Sequence, residues 1–127
     1  MAPVTAAHAA LLGALLTALA INTTRCRMRG GRDPSPAAKE AILRASRAHG
    51  NTLEHGLPMV MLLLFAETQG ASAGWICGLG TTFFVARAIY IYGMLTRPRS
   101  TPMRVGAGLT YALEIAAINL LVVRLLA

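Results

Sequence analysis

Charged side chains are scarce in this 127-residue chain, at 13% of residues, where soluble domains carry about 25%. The apolar residues, 55% of the total, are gathered into blocks. Together these exclude an ordinary water-soluble domain and point to a bilayer as the solvent. Cysteine is nearly missing: Cys26 lies in a basic stretch and Cys77 in an apolar one. That pair excludes a disulfide framework, and no metal-ligand spacing is present. Positive charge is absent ahead of the first apolar block and abundant after it, the reverse of a secretory signal. The block therefore reads as a retained helix with its N-terminus outside the cytoplasm.

What is present fits four membrane-spanning helices, expected at about residues 4–24, 36–68, 71–95 and 104–126 of a single domain. The fold class is all-α integral membrane, a four-transmembrane-helix bundle. Backbone groups in lipid must be satisfied within each helix. The net charge of +7 does not indicate nucleic acid, because the arginines sit beside the apolar blocks. Arg25, Arg27, Arg29, Arg32 and Lys39 follow the first, and Arg97, Arg99 and Arg104 separate the last two. Juxtamembrane cations of this kind orient a membrane protein, here with both basic loops in the cytoplasm and both termini outside.

The second helix is the most informative. Its purely apolar run, residues 56–66, is 11 residues long, about half of what a ~30 Å hydrocarbon core requires. To cross, it must carry Asn51, Glu54 and His55 into or near the hydrocarbon. At about 100° per residue, Arg47, Asn51, Glu54 and Pro58 fall within roughly 60° of each other, with Arg44 and His55 flanking. One polar stripe runs down one face. Arg87 lies inside the third helix with Tyr90 one turn on. The fourth helix carries Glu114 and Asn119 in apolar surroundings and a small-residue stretch at Gly106, Ala107 and Gly108, which permits close helix approach. On depth, Arg87 should pair with Glu54 or with Glu114; His55 reads as a packed or hydrogen-bonded histidine. Intramembrane ionisable groups mark functional sites by default. An excess of arginine over carboxylate, with Asn and Tyr beside it, suits a polar anion from the cytoplasm. A lipophilic compound could reach the same place from the bilayer.

The run Arg47-Ala48-His49-Gly50-Asn51-Thr52-Leu53-Glu54, with Pro58 beyond it, resembles the signature of the MAPEG family, the membrane-associated proteins of eicosanoid and glutathione metabolism. Arg87-Ala88-Ile89-Tyr90-Ile91-Tyr92-Gly93 is similar to the family's helix-three stretch, and Pro102-Met103-Arg104 gives a looser third match. The resemblance covers essentially the whole chain and is greatest to short bacterial members, which implies an inner-membrane protein. It also implies a homotrimer with glutathione, or a related thiol, held as co-substrate between subunits near the cytoplasmic face. By position, Arg47, Asn51 and Glu54 would hold its carboxylates and amine, with His49 assisting and Arg87 belonging to the same binding set. Tyr90 would bond the peptide, Arg25 or Arg27 would clamp a further carboxylate, and Arg104 would favour the catalytic thiolate.

Two positions depart from the family's better-known branches. Met94 stands where many eukaryotic members have tyrosine, and Val105 where a prostaglandin-synthesising branch has serine. Both argue against prostaglandin isomerisation. The expected function is a glutathione transferase or peroxidase acting on lipophilic electrophiles. A non-catalytic lipid- or anion-binding protein of the same fold is the alternative. A small four-helix exporter ranks below both, since its glutamate would belong in the first helix, which has none.

Overall fold

The computed structural model describes residues 2–127. Four helices follow one another: α1 (Pro3–Gly30), α2 (Pro36–Thr68), α3 (Ala73–Thr96) and α4 (Thr101–Leu126). At 1.5 Å per residue each exceeds a ~30 Å hydrocarbon core. By length and composition α1, α3 and α4 are apolar enough to cross a membrane. α2, the longest at 33 residues, is interrupted by its polar stripe. The chain is thus a multi-pass, all-α membrane bundle.

Each helix begins where local chemistry opens it. Prolines occupy the first turn of α1, α2 and α4, where a missing N–H costs nothing. Ser35 caps α2 by accepting from the Ala38 N–H at 3.3 Å. α1 runs on to Gly30 rather than stopping near residue 24. Arginine propagates a helix well, and Arg27 and Arg29 in the last turn complement the helix dipole. Gly31, at φ +66°, breaks it. α4 begins at Thr101, a few residues earlier than its apolar block. Short connections at 31–35, 69–72 and 97–100 make successive helices antiparallel neighbours.

α1 packs chiefly on α2, and α3 chiefly on α4. The second pairing depends on Gly106. A Cβ there would lie 2.5 Å from the Tyr90 backbone nitrogen, so only glycine lets the two backbones touch. Gly108 faces open space, so of the small-residue stretch Gly106 sets the close approach and Ala107 packs against the core, while Gly108 does neither.

The core has two apolar parts. At the end away from the arginine-rich loops, Met59, Leu63, Ala66, Ile76, Leu79, Phe83 and Ala117 form a closed cluster. Toward the arginines a smaller group contains Leu19, Ala48, Tyr90 and Met94. A polar layer of Thr52, Arg87 and Thr110, all fully buried, is also part of the interior. At the closed end Glu67, near the end of α2, accepts from the Val4 and Thr5 N–H groups at 3.1 and 2.8 Å. A carboxylate from one helix thereby supplies the N-terminal cap that α1 lacks in its own sequence.

Candidate functional site

The site is organised around Arg87, which is 0% exposed. One guanidinium nitrogen donates to Asn51 Oδ1 at 2.9 Å and to Thr52 Oγ1 at 3.1 Å. The other terminal nitrogen donates to Thr110 Oγ1 at 3.3 Å, whose own hydroxyl donates back to the Gly106 carbonyl at 2.8 Å. The guanidinium carbon lies 4.3 Å from the centre of the Tyr90 ring, a cation–π contact. The Nε has no partner.

The carboxylate partner expected for Arg87 is not there. The carboxylate contacts to basic side chains among the described residues lie elsewhere: an ion pair of Arg44 with Glu40, and a hydrogen bond between His55 and Glu114 at 2.9 Å. Depth favoured both pairings, but Glu114 points to His55 instead, and Glu54 is exposed and makes no bond to Arg87. Arg87 is therefore a buried guanidinium held by one amide, two hydroxyls and a ring, with no carboxylate in hydrogen-bonding contact.

That surface is a crevice of about 430 Å³ lined by Ser46, Arg47, Gly50, Asn51, Glu54, Tyr90 and Met94. Asn51 and Tyr90 form its inner wall and are the two groups through which Arg87 touches it. An adjoining recess of about 380 Å³ shares Arg47 and Met94 and adds Arg44, Arg97 and Arg99. Arg44 also donates to the Thr96 carbonyl at 3.1 Å, so it closes the end of α3 while bordering the recess. Arg99 adopts φ +64° in the connection between α3 and α4, an uncommon conformation for a side chain of this size. Four arginines thus face Glu40 and Glu54 along one continuous strip.

The predicted site residues divide into three groups. Arg47, Asn51, Glu54 and Tyr90 meet in the crevice. Arg87 lies behind its wall and reaches it only through neighbours. His49 is half-buried, and Arg25, Arg27 and Arg104 are exposed; none of these four belongs to the crevice lining. At the end of α1 it is Asn22 and Cys26 that turn inward, lining a third recess of about 430 Å³ with Glu40, Ala41 and Arg44. Sequence reasoning missed Thr52 and Thr110, since an isolated threonine in a helix carries no signal of what it will bond. It also missed Glu67.

Chemically, the crevice offers a guanidinium, an amide and a phenol as donors and one carboxylate as acceptor. That set matches a ligand bearing carboxylates and an amine. The assembly is a polytopic helical membrane protein with a polar crevice and an adjoining arginine-rich recess at one end. Residues 5–126 match the MAPEG family, and the chain belongs to that family. No curated protein matches it.

Proposed function

We propose that this protein binds glutathione, or a closely related thiol, in the crevice lined by Arg47, Asn51, Glu54 and Tyr90. It would use the thiol to conjugate or reduce lipophilic electrophiles that arrive from the bilayer. The carrying observation is the fully buried Arg87, bonded to Asn51 behind a crevice whose lining sets the Arg47 guanidinium, an amide and a phenol beside a single carboxylate. Glutathione has two carboxylates and one ammonium; this lining matches one carboxylate and the ammonium, and the second carboxylate would need a cation from outside the lining. Arg47 would take a carboxylate as a bidentate fork, Glu54 the ammonium, and Tyr90 a peptide group. The crevice volume falls within the range typical of small-molecule sites.

In this reading the protein acts as a homotrimer in a bacterial inner membrane, its arginine-rich end cytoplasmic as the distribution of Lys and Arg favours. The half-open crevice of one protomer would be completed by helix ends from a neighbour. Exposed Arg25 or Arg27 on α1 and Arg104 on α4 would then supply the remaining clamp and the thiolate-stabilising cation, with His49 at the subunit contact. The thiolate would attack the electrophile directly.

A second reading, a non-catalytic lipid- or anion-binding protein of the same family, is favoured by two observations. Arg104 is exposed and outside the crevice lining, and Met94 occupies the crevice with a group that cannot donate a proton.

A thermal-shift titration with reduced glutathione, run beside Arg47→Ala, tests the binding. Saturable stabilisation at millimolar thiol, absent in the variant, is expected from mass action. Turnover of a generic electrophile then separates enzyme from binding protein. No stabilisation of the wild type would defeat the glutathione reading.

A further inference from the structure

The polar pair formed by His55 and Glu114 plays no part in the crevice chemistry described above. His55 Nδ1 lies 2.9 Å from Glu114 Oε1, linking α2 to α4. Glu114 stands near the middle of α4 and His55 one turn beyond Asn51, about 6 Å further into the membrane. The two side chains keep 19% and 17% of their surface accessible, and Tyr111 meets the imidazole edge-on, 5.3 Å between ring centres and 68° between planes. Tyr111 itself is 53% exposed. With Nδ1 engaged by the carboxylate, no group among the described residues takes Nε2 as a hydrogen-bond partner.

Ionisable side chains at hydrocarbon depth are costly and carry function more often than structure. Linking two helices does not require them, since apolar residues of similar volume do so as well or better. A histidine held by a carboxylate has a particular property: the two groups share a proton while staying close to neutral as a unit. Such a pair can store a proton where water is scarce, and the carboxylate fixes the ring so that the free nitrogen presents it outward. Against the imidazole the exposed Tyr111 ring offers an aromatic surface and a hydroxyl as a further donor. The combination fits a lipophilic molecule that carries a carbonyl.

We infer that His55 is a catalytic proton donor to the carbonyl oxygen of α,β-unsaturated aldehydes or ketones drawn from the bilayer, with Glu114 as its positioning residue. The inference rests on the thiol chemistry of the preceding section. The thiolate sulfur bonds to the β-carbon. The carbon–carbon π bond breaks, and its electrons shift through the conjugated system onto the carbonyl oxygen. The proton on His55 Nε2 moves to that oxygen, leaving neutral imidazole beside the Glu114 carboxylate. The resulting enol tautomerises to the saturated carbonyl, and His55 regains its proton from water. A nucleophilic aromatic substitution that expels chloride needs no such proton, so the site should distinguish the two kinds of electrophile.

The test uses wild type, His55→Phe and Glu114→Gln in nanodiscs; the last keeps its volume and serves if the phenylalanine variant does not fold. Nonenal isotopically labelled at its carbonyl is added first, without thiol. Its carbonyl stretch should move to lower frequency with wild type, less with Glu114→Gln and not at all with His55→Phe. An unshifted band with wild type overturns the site whatever the thiol does. Rates with reduced glutathione follow, using nonenal and chlorodinitrobenzene in parallel. Both variants should lose about 100-fold in kcat/KM for nonenal while keeping wild-type rates with chlorodinitrobenzene. Equal losses on both electrophiles would reduce the pair to a structural tie and overturn the proposal. Should wild type shift the band yet turn over neither electrophile, the transferase reading and the proton-donor role fall together, and carbonyl binding stands.

Discussion

The two ends of this bundle solve opposite problems with the same four helices. At the closed end Met59, Leu63, Ile76 and Phe83 are essentially inaccessible, and the carboxylate there, Glu67, is taken up by the start of α1. At the arginine-rich end the packing stops short, leaving recesses of about 430 and 380 Å³ whose linings mix charged, polar and apolar side chains. α2 passes through both regions. It presents Met59 and Leu63 to the core in one half and Arg47, Asn51 and Glu54 to the crevice in the other. Cohesion is concentrated where the helix is apolar, and ligand chemistry where it is not, with Arg87 bonded across the polar layer.

Substitutions can break or sharpen that division. The largest effect is expected at Arg87. Arg87→Ala removes a large buried side chain and strands the Asn51, Thr52 and Thr110 oxygens, at a cost of about 3–5 kcal/mol. Arg87→Met refills most of the volume and should recover much of the lost melting temperature while leaving anion affinity low. If Arg87→Met binds glutathione as wild type does, the buried charge does not serve the crevice.

Gly106→Leu comes next, forcing a side chain against the Tyr90 backbone. Overpacking of this kind costs about 1–3 kcal/mol. Because the strain falls on Tyr90, both thermal stability and ligand affinity should decline, whereas Gly108→Leu, with open space at the same helix end, should leave the melting temperature near wild type. A smaller loss, about 1 kcal/mol as for other N-terminal caps, is expected of Glu67→Gln. Affinity for glutathione should survive it, since the closed end is remote from the crevice. A double-mutant cycle on Glu40 and Arg44 should show the least, a coupling of about 0.3–0.5 kcal/mol for an exposed i,i+4 pair. A coupling several times larger would mean that the recess around Arg44 is not open to solvent in the assembled protein.

Much of this architecture is legible in the residues themselves. Block length and hydropathy are enough for three spans, because a bilayer imposes a length on each; the fourth, α2, is read by extending its short apolar run through the polar stripe. The stripe on α2 follows from angular spacing alone, and the structure brings Arg47, Asn51 and Glu54 together with Tyr90. Depth in the membrane can be estimated from position along a helix, but the partner a side chain meets depends on how helices rotate against one another. For that reason Glu114 could be placed at the level of Arg87 but not seen to face His55. Hydropathy likewise ends α1 too early, since the arginines that end the apolar block do not end the helix. Gly31 does that. Thr52 and Thr110 look like spacers until Arg87 is found between them.

Glu67 bears on how the protein is made as well as how it is held. Its carboxylate is near the end of the second helix and its two N–H donors are at the start of the first, separated by more than 60 residues of chain. They can meet only if those two ends emerge on the same side of the bilayer. A chain whose second helix failed to cross, or entered the wrong way round, would leave the carboxylate on the opposite side from the amides it caps. The contact therefore forms only after the first hairpin has been threaded correctly, and acts as a signature of completed insertion.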